Sequence, residues 1–159
     1  MKKYLKIALI LALGALLGAG GVLLLMGSWF DGHRKSQALF HIVAQLQEAD
    51  KQYKEADPKV AIYSMERALT VIESYRDRGL YKPVLDRNWD IAVIHARIAR
   101  MYQKDGDHES ASKHFQMSME LFSRDGWKLK NVDELNKAID LIDEGRTVDA
   151  YKKYGKCIQ

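Results

Sequence analysis

Histidine, aspartate and cysteine are the side chains best suited to hold a metal ion, and this chain scatters them. No two of its five histidines stand three or four residues apart on a predicted helix. Cys157 is the only cysteine, which excludes an internal disulfide and a multi-cysteine zinc site. Asp105, Asp107 and Glu109 alternate, but the run lacks the later ligands of a calcium loop, and turn and cap chemistry accounts for it. We therefore expect no bound metal.

Signature motifs of catalysis are also missing from the sequence. It contains no Gly-x-Ser-x-Gly, no phosphate-binding glycine loop and no His-Glu-x-x-His. The sequence therefore predicts neither an enzyme nor a site for a cofactor or a small-molecule substrate.

The net charge of +4 would suggest nucleic-acid binding if it were concentrated in a folded domain. However, Lys2, Lys3 and Lys6 precede the first apolar segment, and 22 basic residues face 21 acidic ones after Phe30. A duplex-binding domain needs a concentrated basic surface, so we expect no nucleic-acid partner.

One group of basic residues could bind a partner. At ~100° per residue, Arg97, Arg100 and Lys104 fall within about 60° of one another on a helix, beside Trp89 and Val93. Arginine can hold a carboxylate through two parallel hydrogen bonds, and an aromatic neighbour adds buried area. These five residues are therefore candidate contacts for an acidic peptide or an acidic protein surface. The alternative is an ordinary solvated helix face with Trp89 in the core.

An uncharged segment from Ile7 to Phe30 indicates a membrane anchor. At ~1.5 Å per residue it spans about 36 Å, more than the ~30 Å hydrocarbon core of a bilayer. The alternative is a cleaved signal peptide, with the small residues 18–21 as the cleavage site. Because the apolar run resumes at once after these residues, it is longer than a signal-peptide core, and we favour the uncleaved anchor.

Charge at the two ends of this segment predicts its orientation. Three lysines and the amino terminus lie in the flank at residues 1–6, whereas only Arg34 and Lys35 follow, in a predicted juxtamembrane linker at 31–35. This bias places the N-terminus in the cytoplasm. We therefore expect a single-pass protein of the bacterial inner membrane with residues 36–159 in the periplasm.

Gly14 and Gly18 form a small-xxx-small pair within the predicted anchor. Such a pair lets a second transmembrane helix approach closely, so these glycines are candidate helix contacts. The alternative is that glycine is simply common in such segments.

The rest of the chain has helical apolar spacing and predicts an all-α domain without strands. Asp57-Pro58 and Gly79 provide start and stop signals, and Gly106, Gly126 and Gly145 provide further stops. Six helices in three hairpins are expected. Their boundaries lie near 36–56, 58–78, 86 or 88 to 105, 108–125 and 131–143, with a short sixth helix that carries residues 148–158.

The third and fourth of these helices resemble a tetratricopeptide repeat. Ala99, Tyr102, Gly106, Ala111 and Phe115 stand at the spacing of that family. The first and last hairpins match less well, and the equivalent alanines of the three hairpins are farther apart than the family period. The resemblance implies a solenoid of helical hairpins whose first helices line a groove for a partner protein, without catalysis.

Two functions follow from these expectations. The first is a membrane-tethered adaptor or scaffold that docks a partner protein through the helical groove. The second is an accessory structural subunit of an integral membrane complex, held mainly by its transmembrane helix.

Overall fold

The chain folds into helices. The computed structural model describes the backbone of residues 2–77 and 88–155 and the side chains of residues 29–77 and 88–155. Every regular element among these residues is a helix, which confirms the all-α prediction. The helices are α1 (Lys2–Glu55), α2 (Pro58–Asp77), α3 (Asn88–Asp105), α4 (His108–Arg124), α5 (Val132–Asp143) and α6 (Thr147–Tyr154).

The predicted anchor at residues 7–30 lies almost wholly outside the residues whose side chains are described, as do Gly14 and Gly18. Within the described part of the chain, no helix has a stretch long and apolar enough to cross a bilayer. The chain divides into two compact units, Met1–Leu39 and Phe40–Gln159.

In the first unit, the segment predicted as a linker, residues 31–35, is helical and belongs to α1. Side-chain pairs one turn apart favour the helix here. Lys35 pairs with Asp31 at 2.5 Å, and a ring nitrogen of His33 lies 3.0 Å from the amide nitrogen of Gln37. The predicted break between two helices at residues 31–35 is therefore wrong, because α1 is continuous through them.

The second unit is organised around α3, whose residues 91–96 are all buried. One side of α3 packs Ile91, Ile94 and Ile98 into a core shared with α1 and α2. Its alanine-rich side packs into a second core built from α4, α5, α6 and Trp127. Because α3 is shared by both cores, it fixes the positions of the other helices.

Small side chains let α3 and α4 approach closely. Ala92, Ala96 and Ala99 on α3 are fully buried, and the buried Ser118 of α4 donates a hydrogen bond from its hydroxyl to the carbonyl oxygen of Ala92 at 2.7 Å. Two residues, Gly106 and Asp107, connect the helices, which form a helical hairpin.

The connections after α3 and α5 use the same turn. Gly106 has φ of +87° and Gly145 has φ of +75°, a region that side chains with a Cβ rarely adopt. In each, the next residue's N–H reaches back to a carbonyl of the last helical turn: Asp107 to Tyr102 at 3.0 Å and Arg146 to Leu141 at 2.7 Å. The predicted stops at these two glycines are confirmed.

The beginnings of α4 and α5 are fixed by side-chain caps. An Asp107 carboxylate oxygen accepts a hydrogen bond from the Ser110 N–H at 3.0 Å, and the Asn131 side chain accepts from the Glu134 N–H at 2.9 Å. Asp107 therefore caps α4, as its position before the helix predicts.

Candidate functional site

The predicted basic residues of α3 lie where α1, α3 and α5 meet. Apolar residues occupy the other sides of α3, so Arg97 and Arg100 extend between the neighbouring helices, where each side chain is 16% exposed. Guanidinium groups at this depth need hydrogen-bond partners, because burying an unpaired charge is costly. The chain supplies these partners itself.

Arg97 joins α3 to both neighbours. Its Nε and Nη2 donate to the same oxygen of Asp143 on α5, at 2.9 and 2.6 Å. Its Nη1 lies 3.1 Å from a carboxylate oxygen of Asp50 on α1. The guanidinium carbon also lies 5.1 Å from the centre of the Tyr53 ring, within cation–π range.

Arg100 is held mainly by α5. Its Nε donates to the side-chain oxygen of Asn136 at 2.9 Å, and its Nη2 donates to the Asn136 backbone carbonyl at 2.6 Å and to Asp140 at 2.8 Å. Its Nη1 makes longer contacts with the Tyr53 hydroxyl at 3.4 Å and with Asp143 at 3.5 Å. The guanidinium therefore binds two turns of α5.

Tyr53 of α1 closes this network. Burial raises the pKa of its hydroxyl, because the phenolate is disfavoured away from water. The protonated hydroxyl donates to Asp143 at 3.2 Å. Asp143 thus accepts hydrogen bonds from side chains of both α1 and α3.

The five predicted contact residues fall into two groups. Val93 is buried in the second core, and Trp89 packs against it. Arg97 and Arg100 are paired within the chain, and Lys104 is exposed. The structure thus brings the two arginines together with three carboxylates, and it leaves Lys104 as the accessible cation of the predicted group.

A cleft lies beside this network. It has a volume of about 340 Å³ and is lined by Tyr53, Arg100, Gln103, Lys104 and Asn136. We call it the polar cleft. Its walls come from α1, α3 and α5, the first helices of the three predicted hairpins.

A second depression adjoins the polar cleft at Gln103, which lines both. Its volume is about 370 Å³, and we call it the apolar depression. Four apolar and four polar side chains line it: Gln103, His108, Ala111, Ser112, Phe115, Gln116, Met119 and Val132. Gln103 thus lies in the wall of both the polar cleft and the apolar depression.

Two histidines meet between α3 and α4. Nδ1 of His95 on α3 lies 3.0 Å from Nδ1 of His114 on α4. Burial lowers the pKa of His95 to about 4, with a smaller contribution from His114, and burial also lowers the pKa of His114. Both rings are therefore neutral at pH 7, so one can donate to the other. In the described residues, no three His, Cys, Asp or Glu side chains are grouped as metal ligands.

Sequence reasoning missed Asp50, Tyr53, Asn136, Asp140 and Asp143. Arg97 and Asp143 are 46 residues apart in the chain, and nothing in the spacing of either helix pairs them. The histidine pair was missed for the same reason, because its members lie on different helices.

Comparison with protein-family models, with curated proteins and with solved structures gives no match to this chain.

Proposed function

We propose that this protein is a membrane-tethered adaptor that docks a partner protein in the polar cleft and the adjoining apolar depression. The observation that carries the proposal is the position of the polar cleft, whose lining side chains come from α1, α3 and α5. A surface assembled from three helices presents side chains in a fixed arrangement, which lowers the entropy cost of binding.

The chemistry of the polar cleft favours an acidic partner. Arg100 donates to the side-chain oxygen of Asn136, so the Asn136 amide nitrogen remains as the group able to donate elsewhere. Lys104 and Gln103 are exposed beside it and offer further donors. Donors and a cation suit the carboxylates and backbone carbonyls of an acidic peptide.

This geometry narrows the contacts that we propose. Arg97 holds α1, α3 and α5 together, and Val93 and Trp89 pack in the second core, so we no longer propose these three residues as contacts. Lys104 and Arg100 are the proposed contacts from the predicted basic group.

The resemblance to tetratricopeptide repeats supports a docking role. The alanines at the matching positions, Ala99 and Ala111, are buried between helices, and Phe115 is 6% exposed. Gly106 has the left-handed backbone that the turn requires. In that family, the first helices of successive hairpins line the binding groove, as α1, α3 and α5 line the polar cleft here.

Only the sequence supports the membrane attachment that we include in this proposal. The uncharged segment at residues 7–30 is long enough to cross a bilayer, and the lysines before it favour a periplasmic domain. Tethering raises the local concentration of the cleft near envelope proteins, so modest affinity would suffice.

Affinity purification in mild detergent, followed by mass spectrometry, tests the docking role. We expect Lys104→Glu to lose a partner that the wild-type chain retains. The matched control is Lys59→Glu, which reverses the charge of an exposed lysine at the start of α2 and should retain the partner. Equal recovery by both variants would contradict the proposal.

Replacing residues 7–30 with an unrelated transmembrane segment tests the role of the anchor. If the cleft makes the main contact, the partner stays bound to the chimaera. Loss of the partner would instead support the accessory-subunit function, in which the transmembrane helix makes the contact.

A further inference from the structure

Asp140 on α5 occupies an unusual position at the edge of the polar cleft. It accepts a hydrogen bond from Nη2 of Arg100 at 2.8 Å, yet its own side chain is 60% exposed. Asn136, one helical turn earlier on the same side of α5, lines the polar cleft. The Asp140 carboxylate is therefore bound to Arg100, which lines the polar cleft, and is also in contact with solvent.

Asp143, the other α5 carboxylate that binds Arg100, is held more firmly than Asp140. It is 19% exposed, and it accepts hydrogen bonds from Arg97, Arg100 and Tyr53. An incoming carboxylate would have to break several buried contacts to replace it. Among the described residues, Asp140 pairs with Arg100 alone, at an exposed site where water screens the attraction and the pair is weak.

The charge around the arginines adds a second argument. Arg97 and Arg100 face the carboxylates of Asp50, Asp140 and Asp143, and Asp50 also pairs with Lys54 at 2.6 Å. These six groups are neutral in sum. Without the charge of Asp140 they carry one positive charge, which adds to that of exposed Lys104 and attracts an acidic ligand to the polar cleft.

We infer that Asp140 is a specificity-determining residue that competes with the carboxylate of the partner for Nη2 of Arg100. The inference rests on the proposed docking function and names the chemistry of the partner, a peptide segment with a carboxylate side chain. On binding, the partner's carboxylate takes the position of the Asp140 carboxylate, and Asp140 turns into solvent. The bonds from Arg100 to Asn136 stay in place and keep the guanidinium oriented.

Fluorescence anisotropy with the purified full-length chain in mild detergent tests this competition. The probe is a fluorescein-labelled peptide in which glutamate alternates with glycine, and its match has glutamine in place of glutamate. We expect Asp140→Asn to tighten binding of the glutamate peptide by about two- to fivefold, the range set by an exposed ion pair. The glutamine peptide should bind both proteins weakly and equally.

Asp133→Asn is the matched control, because Asp133 is an exposed aspartate on the same helix. It removes the same charge without touching Arg100. If both variants tighten binding of the glutamate peptide equally, the effect comes from net charge and the inference is overturned. Unchanged or weaker binding by Asp140→Asn would also overturn it. If no variant binds the glutamate peptide while partner capture still depends on Lys104, the inference fails and the docking function stands.

Discussion

Arg97 donates two hydrogen bonds to a single carboxylate oxygen of Asp143, at 2.9 and 2.6 Å, across the interface between α3 and α5. The side chains are 16% and 19% exposed. With Asp50 on α1 as the second partner of Arg97, this pair connects the three helices that form the polar cleft. The arginine that sequence spacing identifies as a ligand contact is therefore part of the scaffold.

Neutralising Asp143 should destabilise this scaffold. Asp143→Asn leaves Arg97 with Asp50 as its remaining carboxylate partner in a poorly solvated position, and we expect a loss of about 2 kcal/mol. Urea unfolding followed by far-UV circular dichroism measures it. Asp149→Asn is the control, because its pair with Arg146 is about half exposed on both sides and should contribute little to stability. Equal losses would contradict the scaffold role.

Reversing the charge of Arg97 should have a larger effect. In Arg97→Glu, a third carboxylate meets Asp50 and Asp143 in a region with little water, so repulsion replaces attraction. We expect a marked fall in the melting temperature, whereas Lys104→Glu, on the exposed end of α3, should melt close to the wild type. Thermal denaturation of the two variants distinguishes them; matching curves would show that Arg97 is not a structural residue.

The close approach of α3 and α4 predicts intolerance to larger side chains. Ala99 is completely buried between these helices, so Ala99→Leu should cost about 1 to 3 kcal/mol through overpacking. Ala44→Leu, at an exposed position on α1, introduces the same side chain without a steric conflict. Unfolding free energies of the two variants that agree within error would contradict the packing described here.

The histidine pair predicts a pH dependence of stability. The pKa of His95 is lowered from 6.5 to about 4, so the folded state disfavours the protonated ring and the unfolded state binds the proton more readily. The stabilisation is fully present above pH 6.5 and is lost as the pH falls toward 4, up to roughly 3 kcal/mol. Unfolding free energies measured across this range should fall less steeply for His95→Gln than for the wild type. The exposed His108→Gln should keep the wild-type slope; a common slope for all three proteins would contradict the prediction.

Local signals in the sequence were sufficient to predict most helices of this fold. Gly106 and Gly145 end helices because the turn requires a left-handed backbone, and Asp107 begins α4 because its carboxylate caps free N–H groups. These are interactions within a few residues, so spacing and residue type reveal them. The charged residues at 31–35 predict a linker between two helices, but Lys35 and Asp31 pair one turn apart and α1 continues through this segment.

The composition of the site depended on interactions that a single sequence does not display. Arg97 and Arg100 were correctly placed on one side of α3, but the residues opposite them are 36 to 46 residues away on α5. Only the packing of α3 against α5 brings them together. Consequently a solvent-facing basic stripe and a buried ion-pair network have the same pattern in the sequence.

Site-specific photo-crosslinking tests the central claim, that a partner protein docks in the polar cleft, most directly. The full-length chain carries p-benzoylphenylalanine at Gln103, which lines both the polar cleft and the apolar depression, or at Tyr63, an exposed position on α2. We predict one discrete crosslinked product from Gln103 in membranes, absent when Lys104→Glu is added, and no such product from Tyr63. Crosslinking of the same protein from Tyr63 but not from Gln103, or a Gln103 product unaffected by Lys104→Glu, would contradict the account.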